Sequence, residues 1–248
     1  STPTPTPTLA FSINYNDRIG GDLMPFISVD DGEASYSTSR DSNKNYVSVN
    51  QTGNKVVIGC SARHHGAAQN AQNPQGIVKA FSYNSTLKKW ETMGSDIKGA
   101  EPGDAFGSSV SMDDTGNIVV VGSMGSSGER RDKQGAGRVD VYKYTSTGWT
   151  QLGQTIYGNN TGDGCGFEVA INGDGSRIAI GSYSEDKNIQ YDENAGKVRV
   201  YSYNSTSKSW VQLGSTIEGE YWRGLVSGSF LSFNSTGDVL AIGQARVG

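Results

Sequence analysis

The chain has 248 residues, of which 34% are hydrophobic and 19% charged, with 34 glycines and a net charge of -4. That length fits one large all-β domain or two smaller ones, and the low apolar share suits strands joined by polar turns, which need only one apolar side each. The charge balance leaves no basic footprint for nucleic acid, and the longest apolar run, Ile118–Val121, is far short of the roughly 20 residues of a membrane-spanning helix.

The first eight residues read STPTPTPT. Alternating Pro and Thr favours extended polyproline II and offers no apolar surface, so residues 1–8 are expected to be a stiff linker or tail, and residues 9–248 the folded part. Phe11–Gly21 can be laid on a fourth strand of the repeat described next. The polar, acidic stretch Asp30–Asn45 then carries about 15 residues more than the same interval elsewhere in the chain.

From there the sequence repeats. Turn glycines fall at Gly53, Gly116, Gly175 and Gly237, tryptophans at Trp90, Trp149 and Trp210, and tyrosines at Tyr83, Tyr144 and Tyr203. All three markers give a unit of about 60 residues. Gly103–Gly158 shows one unit in full. Strand A is expected over Ser108–Met112, followed by the turn Asp113-Asp114-Thr115-Gly116-Asn117, where Asp and Asn beside Gly supply a tight hairpin. Strand B, Ile118–Val121, is continuously apolar and so covered on both faces. Strand C, Val139–Tyr144, alternates with period two, and strand D runs over Trp149–Ile156. Two hairpins per unit predict an all-β fold: a β-propeller of four-stranded antiparallel blades, with four blades or part of a larger ring. The chain holds four A–B hairpins but only three C–D hairpins, because it stops soon after the last strand B, Val239–Ile242.

Phe106-Gly107 followed by Ser-Ser-Val, an Asp/Gly turn and Val-Val-Gly-Ser resembles the FG-GAP repeat of integrin-α-type propellers. The longer pattern Gly-x-Val-x-Val-Tyr…Trp-x-Gln-Leu-Gly is similar to FG-GAP-like and kelch-like repeats of secreted proteins. The resemblance implies a propeller used for adhesion or recognition. It also implies calcium in the A–B turns, which needs six to eight oxygen ligands. The turns beginning at Asn50, Asp113, Asn172 and Asn234 carry too few acids for that, so no metal and no cofactor is expected.

Asn-x-Ser/Thr acceptors occur at Asn50, Asn84, Asn159, Asn204 and Asn234, all at expected turns or connections, where a glycan would meet solvent. Cys60 and Cys165 set no disulfide framework. The adjacent pair His64 and His65 points two ways in an extended chain and makes a poor metal site. Arg130 and Arg131, and Glu185, Asp186 and Tyr191, sit in the other two long B–C loops, and Tyr221-Trp222-Arg223 is out of register with the repeat. Similar strands with dissimilar loops are how a rigid scaffold carries recognition, and an exposed aromatic–Arg cluster suits a protein or a sugar ring. These residues form the expected binding surface. The expected function is accordingly a non-catalytic glycoprotein, extracellular or at a cell surface, in adhesion, recognition or assembly, with a protein or glycan partner and self-assembly open to it. The alternatives are a subunit of an extracellular filament and a carbohydrate-active enzyme whose acids converge from different blades.

Overall fold

A computed structural model describes residues 45–61, 75–125, 135–182, 196–219 and 225–246. No helix occurs among them, and the strands form four antiparallel sheets in chain order. The first holds β1 (Asn45–Val49), β2 (Lys55–Cys60), β3 (Ile77–Asn84), β4 (Lys89–Thr92) and β5 (Ile97–Lys98). The second holds β6 (Phe106–Met112), β7 (Ile118–Ser123), β8 (Arg138–Thr145), β9 (Gly148–Gln151) and β10 (Ile156–Tyr157). The third holds β11 (Cys165–Ile171), β12 (Arg177–Ser182), β13 (Lys197–Asn204), β14 (Ser209–Gln212) and β15 (Ile217–Glu218). The fourth is the pair β16 (Leu225–Phe233) and β17 (Leu240–Arg246). The expected strands A, B and C of the full unit are β6, β7 and β8. The all-β expectation therefore holds at the level of stacked antiparallel sheets.

Strand D differs from its expectation. It is two pieces, β9 and β10, both paired to β8, one at each end. The break has a physical reason. Gly153 lies there at φ 80°, and a side chain on it would come within 2.7 Å of Trp210 in the next sheet. The indole of Trp210 donates to the Leu152 carbonyl at 2.8 Å, and Trp149 donates in the same way to the Met93 carbonyl of the first sheet at 2.6 Å. Trp149 and Trp210 are therefore joints between sheets. Each stacks at a tilt on its own strand-C tyrosine, Tyr203–Trp210 with centroids 5.2 Å apart and Tyr144–Trp149 with 5.1 Å.

The sheets pack face to face in sequence. Phe106, Val110, Met112, Val119 and Val121 of the second sheet close a core with Val57 and Val78 of the first. Val120, Val139 and Val141 close a core with Val169, Ile171, Ile178 and Ile180 of the third. Leu231, Phe233, Leu240 and Ile242 of the fourth pack on Ala170, Ala179 and Val198. β7 is buried on both faces, as its unbroken apolar run requires. Strand C is buried on both faces only over Val139, Asp140 and Val141; from Tyr142 onward it is half-buried or exposed.

Two devices at strands A and B hold this spacing. Where A meets B of the preceding sheet, backbone lies against backbone: Gly59 on Gly107, Gly122 on Gly166, Gly181 on Gly228. A Cβ at Gly122 would overlap the Gly166 carbonyl oxygen. Along the A–B turns a main-chain ladder runs from sheet to sheet, with Gln51 N donating to Asp114 O at 3.3 Å, Asp114 N to Gly173 O at 2.9 Å, and Gly173 N to Ser235 O at 2.8 Å.

Candidate functional site

The A–B turns come first, because sequence pointed to them for metal and glycans. In each, the opening Asn or Asp side chain accepts from the amide five residues on: Lys55 to Asn50 at 2.8 Å, Ile118 to Asp113 at 2.7 Å, Arg177 to Asn172 at 2.8 Å, Val239 to Asn234 at 3.0 Å. These oxygens close the turns. Asn50 is buried, and its Nδ2 donates to Thr52, Asn54 and the Asp114 carbonyl, and a glycan on that nitrogen would remove one of the two N–H groups that serve them. Asn234 holds Thr236 and Asp238 in the same manner. Asn84 is half-buried and Asn204 exposed in matching turns, each accepting two turn amides, and Asn159 is exposed.

His64, His65, Arg130, Arg131, Glu185, Asp186, Tyr191, Tyr221, Trp222 and Arg223 all lie outside the described residues, as do Ser1–Thr8 and Phe11–Gly21. Cys165 is buried, with Arg199 Nη2 3.5 Å from its sulfur.

Two groups of acids that sequence did not single out stand near the end of the sheets where the long B–C connections leave. In the first, Asp104 and Asp140 both grip Arg138, Asp104 Oδ2 at 3.0 Å from Nη2 and Asp140 Oδ2 at 3.1 Å from Nε. Asp104 comes from the connection between the first and second sheets, whereas Asp140 stands on β8. Burial pushes the Asp140 carboxyl above the ordinary range, and the Asp104 charge adds to this, while Thr155 and Arg138 oppose it. Thr155 and Gln151 donate to its other oxygen, so Asp140 is saturated. At the same repeat position the first and third sheets carry cations, Lys79 and Arg199, and the sign is reversed only in the second. The convergence of acids is thus real, but it is an ion cluster packed into a joint, with both carboxylates turned onto Arg138.

The second group is a single residue, Glu168 on β11. Val169 beside it faces the second sheet, so Glu168 stands on the face that meets the fourth. It pairs with Gly181, one residue before β12 ends, and Gly181 rests on Gly228 of β16. The equivalent residue in the second sheet is Ser109, whose hydroxyl donates to the Gly166 carbonyl at 2.8 Å across the joint. Glu168 puts a carboxyl where the second sheet has a hydroxyl and the first and fourth have the rings of Tyr46 and Phe230. Burial alone pushes it up to about 7, and no cation or hydrogen-bond donor meets it among the described residues. A carboxyl in that state is divided between its acid and base forms near neutral pH and can give or take a proton. Its signal in sequence was the lone acid in a strand otherwise made of small and apolar residues.

No group of three or more His, Cys, Asp and Glu among the described residues is placed to hold a metal ion. No helix among them is long and apolar enough to cross a membrane.

No protein-family model matches the chain, and no curated protein matches it in sequence. Solved structures do. A protein of Bacteroides uniformis named, provisionally, as a 6-phosphogluconolactonase is 10% identical over 79% of this chain and 46% of its own, with TM-score 0.49. One of Bacteroides fragilis under the same name is 11% identical over 82% of this chain and 49% of its own, with TM-score 0.48. Sqt1 of Saccharomyces cerevisiae is 13% identical over 73% of this chain and 37% of its own, with TM-score 0.43. The chain spans less than half the length of each. The expectation of a non-catalytic adhesion or assembly protein is corrected at this point: it passed over Glu168, a half-buried carboxyl raised to about 7 and suited to acid–base chemistry. The lactonase activity is stated of those proteins.

Proposed function

We propose that the stacked sheets are blades of a β-propeller of the FG-GAP-like kind, and that it is a hydrolase acting on a sugar-derived ester or lactone, with Glu168 as its proton-transfer group. The observation that supports this reading is the state of Glu168, a half-buried carboxyl raised to about 7 by desolvation and bound to nothing charged. A glycosidase of the two-carboxylate type needs a second acid facing the first across the bond to be cut. The acids that do converge, Asp104 and Asp140, are committed to Arg138. A single carboxyl of this acidity suits ester or lactone hydrolysis better. The ionised Glu168 takes a proton from water, and the water oxygen adds to the carbonyl carbon. The C–O bond of the ring then breaks, and the proton passes to the leaving oxygen.

The test is hydrolysis of a panel of aldonolactones and aryl glycosides between pH 5 and pH 9, with Glu168→Gln alongside. Turnover of lactones that rises through an apparent pKa near 7, and falls about 100-fold or more in Glu168→Gln, is the expected result. Glycosides cleaved in preference to lactones, no turnover at all, or an unchanged rate in the variant would each defeat the proposal.

A further inference from the structure

Strand A of each sheet is fastened to the next sheet by side chains at set places. Between the second and third sheets, Ser109 Oγ donates to the Gly166 carbonyl at 2.8 Å, and Ser111 Oγ accepts from the Ile171 amide at 3.3 Å. Between the first and second, Ser48 Oγ accepts in the same way from the Met112 amide at 3.1 Å, and Tyr46, at the place of Ser109, packs into the shared core. Between the third and fourth, Glu168 stands at the place of Ser109, and Ala170 at that of Ser48 and Ser111. Ala170 has no oxygen to offer the Phe233 amide. The Gly228 carbonyl lies against Gly181 as that of Gly166 lies against Gly122, with φ 80° against 86°. Glu168 can give it a hydrogen bond only from a protonated carboxyl.

The same joint is pinned at its other end. The Gly173 amide donates to the Ser235 carbonyl at 2.8 Å, and Arg177 Nη1 donates to the Gly237 carbonyl at 2.6 Å. Between the ends its packing is thin, since Ala179 stands where the first and second sheets have Val57 and Val120. The joint is thus fixed at the A–B turns and, at the Glu168 end, depends on a group whose power to donate comes and goes with a proton.

The geometry points to Glu168 as a proton-operated latch between the third and fourth sheets. The protonated carboxyl donates to the Gly228 carbonyl, as the Ser109 hydroxyl does to that of Gly166, and closes this end of the joint. Release of the proton to solvent leaves a carboxylate, which cannot donate and which the carbonyl oxygen repels. The sheets then part at this end about the pinned turns, and water reaches the charge. Burial, which raises the carboxyl to about 7, puts the change near neutral pH.

The charged groups that share the joint lie at its pinned end. Arg177 is on the same face of β12 as Gly181, four residues or about 13 Å along the strand, with Asp174 and Asp238 near it. On β13, Lys197 and Arg199 point to the opposite face from Val198, which packs toward the fourth sheet. Val200, Leu231, Phe233, Leu240 and Ile242, which line the rest of it, carry no charge. The latch uses the same side chain as the hydrolase reading but does not rest on it.

Hydrogen exchange of the 248-residue chain at pH 5.5 and pH 8.0 tests the latch. Protection of residues 229–233 is read as a ratio to that of residues 108–112, so that the pH dependence of intrinsic exchange cancels and an unfolded variant shows itself. The ratio should fall about 10-fold or more at pH 8.0. Glu168→Gln, whose amide donates at both pH values, should keep the ratio seen at pH 5.5. Glu168→Ala, equally uncharged but without a donor, should keep the ratio seen at pH 8.0. Ala170→Ser, which supplies the Phe233 amide with an acceptor, should limit the fall to about 3-fold. A ratio indifferent to pH in the unaltered chain would overturn the latch. So would Gln and Ala variants that behave alike, since burial of charge and not a hydrogen bond would then govern the joint. An undiminished fall in Ala170→Ser would count equally against it. Exchange is read without turnover, so the latch and the hydrolase reading stand or fall separately.

Discussion

Ser235 Oγ donates a 2.6 Å hydrogen bond to Asp114 Oδ2, joining the turns of the fourth and second sheets across 121 residues of sequence. The bond passes over Gly173 of the intervening turn, where a Cβ would overlap both partner atoms. Glycine is needed there for room. Its backbone is not in the left-handed region.

Gly173→Ala should therefore break the Ser235–Asp114 bond and cost about 1 kcal/mol, the usual worth of one such bond. Asp114→Ala should cost a similar amount, and the double variant little more than either single one, because both remove the same contact. Chemical denaturation of the four proteins measures the cycle.

Gly122→Ala tests the backbone contact between sheets. The added methyl meets the Gly166 carbonyl oxygen and the Ser109 hydroxyl, and neither the strand nor its neighbour has slack to give. A loss of about 2–3 kcal/mol is expected from overpacking, read as a fall in Tm.

Arg138→Met leaves Asp104 and Asp140 buried without their cation. A loss of about 3–5 kcal/mol is expected at pH 7, and it should shrink as pH falls and the Asp140 carboxyl, already raised by burial, protonates. Unfolding followed at pH 7 and pH 4.5 gives both values.

Glu168 sets a pH dependence of the opposite sense to that of most acids. Its folded pKa, about 7, lies above its unfolded value of 4.5, so its contribution to stability is fully present below pH 4.5 and is lost as pH rises through 7. Allowing for its partial exposure, the loss between pH 5 and pH 8 should be about 2 kcal/mol. In Glu168→Gln that slope should flatten, which denaturant midpoints across the range will show.

The phase of the fold was legible in sequence because the residues that mark it have no freedom. Gly116 and its equivalents close hairpins, and Trp149 and Trp210 fit one place in each joint. The break in strand D was not legible, since it answers to an indole arriving from a sheet about 60 residues further on. The acids of interest were missed for a related reason. Asp140 reads as the polar half of an alternating strand, and only the first sheet packed against β8 makes it buried. Glu168 reads as one charge among many until its strand is known to lie between two others. The loops that drew notice for their dissimilar sequences lie outside the described residues.

One consequence of the joints concerns angle. Where strand A meets strand B of the preceding sheet, the two are parted by no side chain at all, glycine on glycine, and at the strand D breaks by a whole indole. That difference in thickness is a wedge, and the same wedge recurs between the first and second sheets and between the second and third. The angle between those neighbours is then set by two residue sizes. A bulkier residue at the glycine contact or a slimmer one in place of the indole would narrow it, and the B–C connections could vary at will without altering it.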